Sequence, residues 1–138
     1  MNSRALKIFL WIACGFSATG CSHSDPREFA PVRSIVNVQA TRAFSDPTGV
    51  ETYWTTWDSH YQADGGQIGA YRAANEFFDQ EQADGQAELF TNGQAVVITA
   101  DLPGDHQPPS GSDNHKLCRF HTPDSGAEWW TFCADLSS

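Results

Sequence analysis

Apolar residues recur at helical spacing in two stretches of the chain and alternate with polar ones in several others. Val50, Trp54, Trp57 and Tyr61 follow one another at steps of four, three and four, the repeat that lines one face of an α-helix. Asp46-Pro47 stands just ahead of them: a capping side chain, then the one residue whose missing amide costs nothing at the first helical position. Ala63-Asp64-Gly65-Gly66 closes this helix. Ile68, Tyr71, Ala74 and Phe78 repeat the spacing, Phe77 widens the stripe, and Asp84-Gly85 ends the second helix.

The other segments read as strands. Ser34 to Phe44 alternates in part through Ile35, Val36, Val38, Ala40, Ala43 and Phe44, which predicts one strand. Ala87–Phe90 and Ala95–Thr99 flank Asn92-Gly93, a pair suited to the positive φ angles of a tight hairpin turn. Asp101 to Asn114 carries three prolines and two glycines and reads as a long loop, the kind of segment that often holds function. Lys116–Thr122 and Glu128–Leu136 form a second hairpin around Pro123-Asp124-Ser125-Gly126. The expected fold is therefore α+β: one small domain, an antiparallel sheet of about five strands with two helices on one face, and one disulfide.

The N-terminus departs from this pattern. Arg4 and Lys7 precede an apolar run from Ile8 to Phe16, and small residues Ser17, Ala18, Thr19 and Gly20 lead to Cys21. The run is shorter than the roughly 20 residues a spanning helix needs. The arrangement resembles a bacterial lipoprotein signal peptide ending in a lipobox. That resemblance covers residues 1–21 and implies cleavage before Cys21, a covalent lipid on Cys21 and a membrane anchor. Ser22 in place of aspartate favours the outer membrane. The implied organisation is a signal peptide over 1–20, a lipidated tether over 21–33 reaching on the order of 40 Å, and a globular periplasmic domain over 34–138. No cofactor beyond the lipid is expected.

Charge narrows the partners. Loss of Arg4 and Lys7 leaves six basic side chains against 17 acidic ones. Nucleic acid is thereby excluded as a partner, because phosphate contacts need lysine and arginine. A basic envelope or incoming protein would be attracted and steered. With Cys14 removed and Cys21 acylated, Cys118 and Cys133 remain, and one pair in an oxidising compartment reads as a disulfide. The expected register sets Cys118 opposite Cys133; a pairing of Cys118 with Thr131 would strain the bridge.

No nucleophile elbow, HExxH, P-loop, dinucleotide fingerprint or EF-hand loop is present in the sequence, so a catalytic role has little support. Three groups of residues remain. Asp101, Asp105, His106, Asp113, His115 and His121 combine imidazoles with carboxylates; His106, His115, His121 and Asp105 are the weak candidates for zinc or acid–base chemistry. Trp129 and Trp130 are adjacent, so in a strand they point to opposite faces and one is a candidate exposed anchor unless both faces are covered. Glu76, Asp79, Glu81 and Asp84 flank the second helical stripe and suit a cationic protein such as a lysozyme-type muramidase. Three functions follow, in order: a protein-binding lipoprotein (hydrolase inhibitor, immunity-type protein or envelope accessory), a peptidoglycan- or glycan-binding lipoprotein, and a small metal-dependent hydrolase.

Overall fold

In a computed structural model, which describes residues 25–63 and 66–137, the chain is an α+β domain with seven strands and two helices. The strands are β1 (Arg27–Val36), β2 (Ala40–Phe44), β3 (Ala87–Thr91), β4 (Ala95–Leu102), β5 (Leu117–His121), β6 (Trp129–Phe132) and β7 (Leu136–Ser137). The helices are α1 (Pro47–Ala63) and α2 (Gln67–Ala83). One antiparallel sheet runs in the order β3-β2-β6-β5-β4-β1-β7. The signal-peptide segment, Cys21 and the Asp64-Gly65 turn lie outside the described residues. Among the described residues no helix is long and apolar enough to cross a membrane.

The sheet cannot be flat. Four strand-to-strand steps separate β1 from β2, about 19 Å at the usual spacing of about 4.8 Å. Only Asn37, Val38 and Gln39 join Val36 to Ala40, a link that extends to about 14 Å at most. The sheet must curl, and its hydrogen bonds show where. Gly93 N donates to Val36 O at 2.8 Å and Asn92 N to Gln39 O at 3.2 Å, tying the β3–β4 turn to the β1–β2 turn. The concave side holds a core of Val36, Ala43, Phe90, Val96, Phe120 and Leu136. Phe90 and Phe120 meet edge to face there, their centroids 5.0 Å apart. The helices cover the other face over a second core built on Phe44, Val50, Tyr53, Phe78, Leu117, Trp130 and Phe132.

The sequence reading needs four corrections. The single strand expected over Ser34–Phe44 is two strands, parted by the turn at 37–39. Arg27–Arg33, read as tether, belong to β1 and pair with β4. Pro26 and Pro31 obscured this; Pro31 falls where the register shifts between Glu28 and Val32, along an edge that β7 covers only at Ile35 and Val36. Edges and irregular positions are where strands accept proline. Ile68 is 79% exposed, because the buried line of α2 runs through Ala70, Ala74 and Phe78 and Ile68 lies about 200° around the helix from Ala70.

The fourth correction concerns the disulfide. Cys118 and Cys133 are bonded, but the register pairs Cys118 with Thr131. Strand β6 stops at Phe132 and the chain enters a 3-10 turn over Cys133–Asp135. That turn swings Cys133 back until its Cα lies 4.9 Å from that of Cys118, within the ordinary span for a bridge. Cys133 N donates to Lys116 O at 2.9 Å, which fixes the turn.

The same turn buries Asp135. Thr41 Oγ1 donates to Asp135 Oδ2 at 2.7 Å, and the Thr131 hydroxyl meets that of Thr41. Burial raises the pKa of Asp135 above the usual carboxylate range, opposed in part by the bond from Thr41. A group whose folded pKa is raised gives stability that is full below its unfolded pKa and lost as pH climbs through the folded value. Asp135→Asn keeps an acceptor for Thr41 and removes the ionisation. Its melting temperature is expected to exceed the parent's by a few degrees at neutral pH, with the gap closing in acid. A lower melting temperature at neutral pH would mean that the carboxylate charge is itself stabilising.

Candidate functional site

The loop between β4 and β5 is docked on α1 rather than free. His106 Nδ1 donates to Glu51 Oε2 at 2.7 Å, while Nε2 lies 3.4 Å from Thr55 Oγ1 and 3.7 Å from Asp58 Oδ2. Asp105 N donates to Glu51 Oε1 at 3.3 Å. Gly104 permits this close seating: a Cβ there would stand 2.2 Å from His115 O. Glu51 and Asp58 were not singled out from the sequence. Their one legible signal is a two-turn spacing along α1, which means nothing until a histidine is placed between them.

The remaining polar candidates are dispersed. Asp101 ends β4, where Arg27 Nη2 donates to its Oδ2 at 2.6 Å and Lys116 Nζ lies 3.8 Å away. The hydrogen bond from Arg27 holds its pKa below the ordinary range. His121 Nδ1 donates to Thr122 O at 2.8 Å. Asp113 is exposed and His115 half-buried. Among the described residues no group of three or more His, Cys, Asp or Glu stands close enough to hold a metal.

The tryptophan pair divides across the sheet. Trp130 is 5% exposed in the core under the helices. Trp129 packs half-buried against Phe90 at 6.0 Å on the concave side, so it is the member with a solvent-facing portion. A second aromatic group lies on the helices: Trp57 stacks on Tyr61 at 5.0 Å and meets Tyr71 at 5.7 Å.

Of the acidic run on α2, Glu76, Asp79 and Asp84 are exposed, whereas Glu81 is half-buried. Glu81 lines a cleft of about 220 Å³ where the start of α1, the end of α2 and the β2–α1 junction meet. Its floor is the half-buried Phe77 ring, stacked 5.7 Å from the buried Phe44 with the planes at 23°. Gly49 lets the start of α1 seat against Phe44, since a Cβ there would come within 2.7 Å of that side chain. Asp46 also lines the cleft, one oxygen accepting from Thr48 N at 2.8 Å. Ser45, Thr48, Thr52 and Gln86 complete the walls, and no lysine, arginine or histidine lines them.

Cations elsewhere are engaged within the fold. Arg27 and Lys116 approach Asp101, and Arg119 joins Glu28 at 2.7 Å and Glu128 at 3.2 Å. Arg42 lies over the rings of Tyr53 and Phe78 at 5.5 and 5.6 Å. Among the described residues this leaves Arg33 and Arg72 as the outward-facing cations without a carboxylate partner.

No protein-family model, curated protein or solved structure matches this chain.

Proposed function

We propose that the chain is a lipoprotein of the bacterial envelope, anchored through Cys21 to the outer membrane, whose folded domain acts by binding a basic protein. Inhibition of a cell-wall hydrolase, neutralisation of an incoming toxin and service as an accessory subunit all fit that description. The observation that carries the binding reading is the disposition of charge. Four of the six described cations are engaged by carboxylates or aromatic rings of the same fold, while Glu76, Asp79, Asp84 and Glu88 face solvent along α2 and β3. An outward acidic field of this kind steers a cationic partner and weakens with salt. The disulfide and the resemblance of residues 1–21 to a lipoprotein signal support the compartment.

The test is capture from an envelope extract by the immobilised disulfide-bonded protein at low and at physiological salt. One basic protein retained near stoichiometrically, and less so at higher salt, is the expected result. Retention indifferent to salt, or recovery of neutral and acidic proteins only, would refute an electrostatic role. Empty beads would shift attention to purified sacculi as bait.

A further inference from the structure

We infer that the cleft between Asp46 and Glu81 is the seat of a single lysine or arginine side chain presented by the protein partner. This rests on the binding reading above and adds where, and by what chemistry, the partner is gripped.

Three features point to that occupant. Glu81 is drawn halfway into the protein with no cation of its own fold beside it. A cation seated in the cleft meets two carboxylates at once and is partly shielded from water, so it is worth more there than at the exposed Glu76, Asp79 or Asp84. The half-buried Phe77 ring, stacked on the buried Phe44, supplies an apolar floor, matched to the methylene stem that lysine and arginine lay along apolar surface while the charged head stays at the rim. The walls offer hydroxyl and amide oxygens from Ser45, Thr52 and Gln86, acceptors for the donors of an ammonium or guanidinium beyond those the two carboxylates satisfy. An anionic ligand would meet two carboxylates and no counter-charge. At about 220 Å³ the cleft admits a side chain rather than a folded segment.

Asp46 also caps α1, so its variant must keep the cap. Asp46→Asn does so, because asparagine caps as well as aspartate, and Glu81→Gln conserves shape; each removes one charge. Tri-lysine peptide titrated into the isotope-labelled, disulfide-bonded protein is expected to give saturable amide shifts at Gly49, Thr52 and Gln86. Each single variant should weaken that binding by about tenfold, whereas Glu76→Gln with Asp79→Asn should change it less than twofold. A peptide with norleucine in place of lysine should leave these amides unmoved.

Shifts spread over the exposed acidic residues and indifferent to Asp46→Asn and Glu81→Gln would overturn the cleft while the basic-partner reading stands. Equal binding of the norleucine peptide would overturn it as a cation seat. Absence of any saturable shift would also overturn it, and the fate of the broader reading would still be decided by envelope capture, which does not depend on this peptide.

Discussion

Replacing Phe44 by alanine is expected to lower the unfolding free energy by about 3–5 kcal/mol, the range for emptying a large aromatic site in a packed core. Phe44 is 2% exposed and touches three rings: Tyr53 at 6.3 Å, Phe77 at 5.7 Å and Phe78 at 5.8 Å. It is therefore a contact through which both helices reach the sheet. Domains of this size have stabilities of roughly 5–15 kcal/mol, so the variant stands near the edge of folding. Denaturant titration of Phe44→Ala against Leu89→Ala, whose site is 42% exposed, provides the measure. The control is expected to lie within about 0.5 kcal/mol of the parent.

Gly49 sharpens the argument. Gly49→Ala alone drives a methyl group to 2.7 Å from Phe44 and is expected to cost about 1–3 kcal/mol by overpacking. In the Phe44→Ala background the contacts with Cγ and Cδ2 are gone while the one with Cβ, also at 2.7 Å, remains, so the clash is relieved in part. The two substitutions should therefore couple, the double variant being less damaged than the sum of the singles. Strict additivity would show that the contact between Gly49 and the ring carries no strain on substitution.

Loss of the disulfide is the second large effect. The bridge closes a separation of 15 residues, and releasing it from the unfolded chain's constraint costs roughly 3 kcal/mol on the chain-entropy account. The melting temperature of Cys118→Ala with Cys133→Ala is then expected to fall by on the order of 10–20 °C. The damage should also be local. Cys133 opens the turn that holds Asp135 against Thr41 and sets Leu136 in the concave core. Hydrogen exchange at Asn37, whose amide bonds to Asp135 O at 2.9 Å, is expected to accelerate before exchange in β5. Uniform acceleration throughout the sheet would contradict a turn held chiefly by the bridge.

Both helices were legible because local chemistry marks their ends: Asp46 caps one, and Gly85, at φ 75°, follows the other. The β3–β4 hairpin was legible for the same reason, with Gly93 at φ 85°. Strand number was not, since β1 carries a proline at its irregular edge and β7 has only two residues. Partial burial of Trp129 was also hidden, whereas Trp130 lies on the face that the helices cover. The cover over Trp129 depends on the sheet curling on itself, and that is a property of topology rather than of any short stretch. The candidate cleft was half visible. Glu81 stood out as one of a run of acids, but Asp46 read only as a cap, and nothing in a separation of 35 residues says that they line one cleft. The pairing of Glu51 with His106 was illegible for the same reason.

That β1 begins at Arg27 changes what the protein can reach. On the proposed anchoring at Cys21, six residues lie between the lipid attachment and the first strand, about 20 Å at full extension, half the leash implied by a tether ending at residue 33. The domain would then patrol a shallow layer just above the lipid headgroups instead of sampling the depth of the periplasm. Confinement of that kind raises the local concentration of a partner held in the same membrane and contributes nothing toward a freely diffusing one. On that proposed anchoring, so short a leash would favour targets that arrive at, or live in, the membrane surface.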